Sequence, residues 1–547
     1  MVGAWWGTLY ARLTAERSLI AAWVICTVVA SIFLGAEFAP TVDTPAHLAM
    51  VSVLRELGDG GVLDANFAFG VFPASNSLFY ILGLGLSAVF DIATTGVILF
   101  AFAITLVCGG LASLLRALGK HPLGAVAALP FVAQWPLIEG FIDFYLGIGL
   151  VFLLLAAVLN WIRRQPQPQP RSGPWLIVFG SVLVFLAHVH AMLFFGLALG
   201  VIIATSLFMR PSALRLRQAL TLVALSLGPM AVLTVIWLAV GDASSATSVG
   251  ATVEVSPDDR LTSLVRGPLS FAGDHGALLL GVGLLCVILY RVATTLATRS
   301  QAADADDAST SWVNRSQVFL LAFLALNLGA VLWMPNNIGG YWSIHVRFVP
   351  MTWFIALALM IPAHPESPTQ PTPGTTGRLG RLGWSALVAA PLLVAAVMAA
   401  TSFSKSVTSW NGYTSGLRDV LAAAPESGSL FTVLEPKSVK VETGFRVELW
   451  RHIGQYYTAM NLGVTSFSFG WHPGRIVAES PRRERYIERG YLGDFKKMDT
   501  HGCFDVILQL GNSDLHAMRK DVHLIRRSGH WATWRVARTC TPALSRR

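Results

Sequence analysis

Apolar runs of about 20 residues, separated by short polar segments, repeat along the first 400 residues of the chain. An α-helix needs an apolar stretch of about this length to cross a bilayer, so the pattern predicts about eleven transmembrane helices. After residue 403 the runs give way to a more polar segment. The predicted spans are 19–38, 92–115, 122–137, 143–162, 174–187, 190–209, 218–240, 276–298, 317–335, 347–362 and 383–403.

The apolar run at 75–90 is interpreted as a helix lying on the membrane surface. Counted as a span, it would place Arg116 and Lys120 on the outer side, against the rule that basic loops stay cytoplasmic. Counted as a surface helix, it lets the later loops agree with that rule. Arg12 and Arg17 precede the first span, so the N-terminus is predicted to be cytoplasmic and the loop after that span extracytoplasmic.

The composition agrees with a polytopic membrane protein. Hydrophobic residues make up 54% of the chain and charged residues only 13%, against about 25% charged in soluble domains. Within the helical part, basic residues cluster in short loops beside the predicted spans. That clustering indicates topology, so the net charge of +9 does not by itself suggest a nucleic-acid partner.

The stretch 404–547 is predicted to be a small extracytoplasmic α/β domain. Its segments SLFTVLEP and FDVILQL are typical of buried strands, and VHLIRRSGHWATWRVA of a hairpin turning at Ser528–Gly529. Cys503 and Cys540 lie here and can pair if the compartment is oxidising. The remaining cysteines lie in apolar spans and are predicted to be packing residues; they are Cys26, Cys108 and Cys286.

Asp43 is the leading candidate for chemistry, at the start of AEFAPTVDTPAHLAM. Thr44 as a cap and Pro45 at the first helical position predict an amphipathic surface helix over 45–58. A carboxylate beside this helix start can take a proton from an acceptor hydroxyl or orient it. Alternatively, it is a second capping residue or a solvated loop acid. His47, one turn on, shares its face and either tunes the acid or marks the membrane interface.

A second acidic motif, WPLIEGFIDFYLG, is predicted on the same side of the membrane. Glu139 and Asp143 lie four residues apart, and Gly140 permits a turn between them. Acids at the mouth of a span are costly unless they face water, a partner or a substrate. They form a site shared with Asp43 or mark the water boundary. The spacing leaves a divalent cation open, although no oxygen-rich loop of the calcium type is present.

Two histidines occupy the predicted outer turn FLAHVHAML. His188 and His190 together could bind a metal or a phosphate. Two ligands do not make a zinc site, so a polar turn is the alternative.

A further candidate group is YWSIHVRFVP, where His345 and Arg347 stand at the outer entry of a span. A guanidinium is always charged and can bind two phosphate oxygens, so Arg347 suits an anionic phosphate. The alternative is an arginine that snorkels to lipid phosphate. Arg260 and Arg266, in the long outer loop SPDDRLTSLVRGPL, are weaker candidates of the same kind.

Together these features resemble the GT-C fold of integral membrane glycosyltransferases that use polyprenyl-phosphate sugars. That family has an acid in its first outer loop, two surface helices there, a second acidic motif in the next outer loop and often a soluble domain after the last span. Here Asp43 matches the first acid, 45–58 and 75–90 the surface helices, and Glu139 or Asp143 the second motif.

The chain also departs from known branches of that family. The second motif reads EGFID, without the close acidic pair of oligosaccharyltransferase catalytic subunits. The His-Pro-Pro feature of protein mannosyltransferases is absent, and PASNSLFY stands near its place. The resemblance therefore indicates a divergent bacterial-type member and does not assign an acceptor.

The resemblance implies inverting transfer of a sugar from a polyprenyl-phosphate donor to a glycan, lipid or protein acceptor at the outer face of a bacterial inner membrane. In this interpretation Asp43 is the base, and Arg347 with His345 stabilises the departing lipid phosphate. Glu139 or Asp143 orients a substrate or holds an optional divalent ion, and no other cofactor is expected. The C-terminal domain covers the site or recognises the acceptor.

Two alternatives from other classes remain. One is a transporter or flippase of a lipid-linked or anionic substrate, which would need charged groups deep inside its spans. The candidates here cluster at span boundaries and in loops, which favours the enzyme. The other is a non-catalytic envelope assembly protein that kept the fold.

Overall fold

The protein is an integral membrane protein built mainly from long apolar helices. The computed structural model describes residues 2–163, 172–209, 216–240, 258, 260–264, 283–289, 307–335, 344–361, 378–435, 449, 451–465, 477–479, 490–491, 495 and 504–537. In these ranges seven helical stretches are long and apolar enough to cross a membrane: Glu16–Gly35, Ile92–Ala117, Ile142–Arg163, Val189–Phe208, Leu216–Val240, Arg315–Trp333 and Ala390–Ala422.

The difference from the predicted eleven spans has identifiable sources. Two predicted spans are helices of 16 and 17 residues, Ser172–Ala187 and Ile344–Met360, at the short end of what crosses a bilayer. A third, 122–137, is broken. Most of the fourth, 276–298, lies outside the described residues, as do Arg266, Cys503 and Cys540.

The described α-helices are numbered here in chain order. They are α1 Val2–Ala30, α2 Thr44–Glu56, α3 Val62–Asn66, α4 Ser77–Ser87, α5 Ile92–Ala117, α6 Leu129–Val132, α7 Trp135–Glu139, α8 Ile142–Arg163, α9 Ser172–Ala187, α10 Val189–Met209, α11 Leu216–Val240, α12 Asp307–Trp333, α13 Ile344–Met360, α14 Arg378–Thr414, α15 Leu417–Ala422, α16 Gln455–Asn461 and α17 Leu515–Met518. Two 3₁₀ segments cover Ser31–Gly35 and Pro122–Ala128.

The centre of the helical part is the pair α5 and α8, packed side by side. A Cβ atom on Gly110 of α5 would lie 2.6 Å from the carbonyl oxygen of Gly149 on α8. Glycine at this crossing therefore lets the two backbones touch, as small residues commonly do between membrane helices. On its other side α5 packs against α1, where Gly109 faces the ring of Trp23.

The segment 122–137 returns along α5 as a broken helix, so its prediction as one continuous span was wrong. The helix breaks at Ala133 and Gln134, where the backbone leaves the helical region, and Pro136 follows in the first turn of α7, where proline is tolerated. The segment leaves the far end of α5 and finishes at Glu139, whose carbonyl accepts a hydrogen bond from Asp43 near the start of α5. The segment 122–139 therefore still connects the C-terminal end of α5 with the region near its N-terminal end.

The first loop contains the two predicted helices, but one is not at a surface. Helix α2 (Thr44–Glu56) is buried from Thr44 to Val53, and α4, α5 and the C-terminal helix α16 pack around it. Its predicted polar face meets protein: the Ser52 hydroxyl donates to the carbonyl of Ala459 at 2.8 Å. The predicted helix at 75–90 is α4 (Ser77–Ser87), whose 11 residues are too few to cross a bilayer.

The C-terminal part holds a six-stranded sheet in the order β3-β2-β6-β8-β7, with β5 also paired to β2. Strand β2 runs parallel to β3, β5 and β6, whereas β6, β8 and β7 are antiparallel, and β7–β8 is the predicted hairpin. The strands are β1 Phe67–Phe69, β2 Ser429–Leu434, β3 Val464–Thr465, β4 Val477–Glu479, β5 Gly490–Tyr491, β6 Val506–Leu510, β7 Val522–Ser528 and β8 Trp531–Val536.

Several contacts attach this sheet to the helical part. Helix α14 (Arg378–Thr414) runs through the predicted boundary at 403/404 and ends beside the sheet, where Trp531 donates from Nε1 to the Tyr413 carbonyl at 3.0 Å. Outside the six-stranded sheet, strand β1 of the first loop pairs antiparallel with β4 of the C-terminal part in a two-stranded sheet. The three membrane-helix cysteines, Cys26, Cys108 and Cys286, are buried and free, as predicted.

Candidate active site

Two backbone hydrogen bonds join the two acidic motifs. Val42 donates to the carbonyl of Ile138 at 3.0 Å, and Asp43 to that of Glu139 at 2.9 Å. Gly140 follows with φ +107°, a left-handed conformation that favours glycine, and its Cβ would lie 2.7 Å from the Asp43 amide nitrogen. The fold thus places motifs from separate loops side by side.

The Asp43 side chain faces the C-terminal part of the protein. Asp43, and not Thr44, occupies the N-cap position of α2, and its side chain makes no capping hydrogen bond. Its Oδ1 lies 3.3 Å from Nε2 of His452, and the two side chains are only 14% and 8% exposed. The carboxylate is therefore neither a helix cap nor a solvated loop acid.

The Glu139 side chain makes a similar contact with Arg451, the residue that precedes His452. Its Oε1 lies 3.1 Å from Nη1 of Arg451, and the Glu139 side chain is 10% exposed. Arg451 and His452 are consecutive, so one turn of the C-terminal part engages both acids. Asp143 lies buried in the first turn of α8, where its Oδ1 accepts a hydrogen bond from the amide of Phe144 at 2.8 Å.

A buried cationic group lies next to these acids. The Cζ atom of Arg347 is 4.2 Å from the ring centroid of Phe141, and its Nη1 is 2.7 Å from Nε2 of His188. The amide of His190 also approaches His188, at 3.0 Å from Nδ1. A neutral imidazole has one acceptor nitrogen, so His188 can accept from only one of these two donors.

One short segment of the chain carries contacts of both the anionic and the cationic groups. Glu139 contacts Arg451, and Phe141, two residues later, lies under Arg347. Two peptide units span at most about 7.6 Å between Cα atoms. The segment 139–141 therefore carries the Glu139 carboxylate and, at Phe141, the ring against which the Arg347 guanidinium packs.

His345 and Arg260 do not join this group in the predicted way. His345 is buried two residues before Arg347 on α13, and residues two apart do not share a helix face. Arg260 donates from Nη1 to the carbonyls of Met334 and Val331 at the end of α12. A cation at a helix C-terminus is favourable there, so the structure gives Arg260 a capping role.

His47 lies inside the protein, one turn after Asp43. Its Nδ1 is 2.9 Å from the Tyr80 hydroxyl, and its ring lies 5.2 Å from that of Phe79. These contacts link α2 to α4. The geometry favours a packing role for His47.

Sequence reasoning did not find Arg451, His452 or Phe141. The first two stand in WRHIGQYY, a segment with no catalytic motif or spacing. Their only local signal is a pair of basic residues ahead of a short helix. In the part of the chain that the structure describes, no group of three or more His, Cys, Asp or Glu residues is arranged to hold a metal.

Of three comparisons with known proteins, the one with solved structures gave matches and the other two did not. No protein-family model matches the sequence, and no curated protein matches it. Four chains of solved structures match. One is ArnT from Cupriavidus metallidurans bound to undecaprenyl phosphate, 12% identical, with a TM-score of 0.49 and coverage of 94% of this chain and 97% of that chain.

The TM-score is below 0.5, so this likeness carries no argument about the class or the activity of the chain. At this identity and TM-score, no residue role, donor or acceptor is transferred from it.

Proposed function

We propose that this chain is a membrane glycosyltransferase that moves a sugar from a polyprenyl-phosphate donor to an acceptor hydroxyl. The observation that supports this most is the placement of Asp43, Glu139 and Arg347 around one short segment. Breaking the bond between a sugar and a phosphate leaves negative charge on the phosphate, while the attacking hydroxyl must lose a proton. The reaction therefore needs a cation at the phosphate and a base at the attacking hydroxyl, separated by about the length of the sugar phosphate.

Asp43 is the proposed base. It accepts the acceptor's hydroxyl proton as the new bond forms between that oxygen and C1 of the sugar. The bond from C1 to the phosphate oxygen breaks in the same displacement, so the configuration at C1 inverts. Glu139 orients the substrate beside Asp43. Asp143 lies four residues after Glu139 and supports the start of α8.

Arg347 is the proposed phosphate ligand. Its guanidinium stacks over Phe141, which fixes the plane of the fork, and its Nη1 points at His188. A fixed, buried and permanently charged donor stabilises charge that develops on a leaving phosphate. His188 lies beside it, and the His190 ring lies 5.0 Å from that of His188.

The charge pattern of the loops supports the proposed side of the membrane. With the basic loops in the cytoplasm, Asp43, Glu139 and the C-terminal sheet are proposed to lie on the extracytoplasmic face of a bacterial inner membrane. The C-terminal part then covers the site from that side. A lipid-linked donor reaches the same site from the bilayer.

The test is a transfer assay with radiolabelled polyprenyl-phosphate sugars and cell-envelope acceptors. Wild type is compared with Asp43→Asn and with Glu56→Gln, a control on the same helix whose side chain is 28% exposed. We expect Asp43→Asn to lower transfer by about 10²–10⁴-fold, the usual contribution of a general base. Glu56→Gln should stay within about twofold, because exposed ion pairs contribute little.

Each other result has a definite meaning. An Asp43→Asn variant with full activity rejects the proposed base. A folded wild type that transfers from no donor rejects the enzyme. In that case, movement of a lipid phosphate across the bilayer of proteoliposomes would support a flippase. If no such movement is measured, the result would support an assembly role.

A further inference from the structure

We propose that His452 is a positioning residue for Asp43, so that the C-terminal part of the chain completes the transfer site. This inference rests on the function proposed above. Its starting point is that consecutive residues of one turn, Arg451 and His452, contact the two acids at 3.1 Å and 3.3 Å. Neither contact is predicted by any motif in either segment.

The turn that carries these residues is held firmly against the first loop. It leads directly into α16 (Gln455–Asn461), which packs along α2. Ser52 of α2 donates to the carbonyl of Ala459, and the Tyr456 ring lies 4.5 Å from that of Phe38. Contacts made by residues before and after Asp43 therefore fix the position of His452 relative to Asp43.

The chemistry favours orientation of the carboxylate over proton exchange. Nε2 of His452 lies 3.3 Å from Oδ1 of Asp43, so it contacts one of the two carboxylate oxygens. Such a contact restrains rotation about the Cβ–Cγ bond and thereby the direction of the second oxygen. A base works only when it meets the hydroxyl proton at hydrogen-bonding distance, so a fixed rotamer raises kcat.

Arg451 supports the same arrangement indirectly. It holds the Glu139 carboxylate, and the Glu139 carbonyl accepts from the Asp43 amide. His452 thus fixes the side chain of Asp43, while Arg451 and Glu139 fix its backbone. A turn that served only to attach the two parts of the protein would have no need to meet both acids.

A separate attachment supplies the control. Arg418 of α15 lies 3.4 Å from Glu37 and 3.4 Å from Asp91, which follow α1 and precede α5. Its side chain is 38% exposed. It joins the same two parts of the protein as His452 does, but through carboxylates other than Asp43 and Glu139.

The experiment measures kcat, KM and thermal unfolding in the full-length protein for His452→Leu, His452→Gln and Arg418→Ala. Leucine removes the donor, whereas the glutamine amide can place a donor near the position of Nε2. We expect His452→Leu to lower kcat at least about tenfold with KM within about twofold, and His452→Gln to recover most of that loss. Arg418→Ala should lower the unfolding temperature slightly and leave kcat within about twofold.

The results separate this inference from the proposed function. An active wild type whose His452→Leu variant keeps its kcat overturns the positioning role alone. Equal loss in His452→Leu and His452→Gln, or unfolding of both, assigns His452 to structure and also overturns it. A folded wild type with no transfer from any donor rejects the proposed function and this inference together.

Discussion

The backbone amide of Asp43 donates a 2.9 Å hydrogen bond to the carbonyl of Glu139, although the two residues belong to different loops. This bond fixes how the acid of the first loop faces the second loop. It is possible because Gly140 turns the chain away immediately afterwards with a left-handed φ of +107°.

Gly140→Ala should disrupt this junction. A Cβ there would lie 2.7 Å from the Asp43 nitrogen and 2.8 Å from its Cβ, in a conformation that alanine rarely adopts. Strain of about 1–3 kcal/mol plus overpacking of similar size should lower the unfolding temperature and reduce transfer at least about tenfold. The control is Gly85→Ala, whose Cβ meets nothing within 4 Å. Equal behaviour of the two variants in thermal unfolding and transfer assays contradicts the prediction.

Arg347 should be sensitive to a change of shape as well as of charge. Arg347→Lys keeps the charge but loses the planar fork over Phe141, so it should weaken donor use partially. Arg347→Gln removes the charge and should lower kcat/KM by about 10²-fold or more. Steady-state transfer over a range of donor concentrations distinguishes the two, with Arg55→Gln, 43% exposed, as control. Wild-type kinetics in Arg347→Gln would remove Arg347 from the site.

The His47–Tyr80 contact should affect stability and leave substrate binding unchanged. Tyr80→Phe removes the hydroxyl 2.9 Å from Nδ1 of His47 in a buried position, at a cost of about 1–3 kcal/mol. The unfolding temperature should fall while KM for the donor stays within about twofold. Ser87→Ala, on the same helix, should change neither. A raised KM with unchanged stability would instead return His47 to the substrate site.

The start of α5 should give a pH-dependent contribution to stability. Asp91 caps the helix by accepting from the amides of Ala93 and Thr94. Burial raises the pKa of Asp91, but hydrogen bonds from Thr94 and the charge of Arg418 outweigh it, so the pKa lies below its ordinary value. The stabilisation is therefore present above the unfolded pKa of about 3.9 and is lost as the pH falls through the lower folded value.

Asp91→Ala tests this sign. It should cost about 1 kcal/mol at pH 7, and the difference from wild type should shrink below about pH 4. Asp91→Asn keeps the cap and loses the charge, so its cost at pH 7 should be smaller. Thermal unfolding at a series of pH values measures both. A gap between Asp91→Ala and wild type that widens as the pH falls below 4 would reverse the assigned pKa direction.

Local patterns in the sequence predicted elements whose formation depends on nearby residues. Apolar runs identified α5 and α8, and alternation with a turn signal identified the hairpin of β7 and β8. The helix at the start of the first loop was also predicted, because its proline and apolar spacing are local signals. The break in 122–137 was missed, although Pro136 stands just after it, because apolar length was given more weight than proline.

The sequence by itself determined that this is a membrane protein, which segments are apolar enough to lie in the bilayer, and which acids and cations stand at their ends. Only the tertiary structure decided that α2 is enclosed, that Arg260 caps α12, and that His452 meets Asp43. The reason is physical. Burial in the bilayer depends on the composition of one segment, whereas a contact between distant residues depends on how several helices pack together.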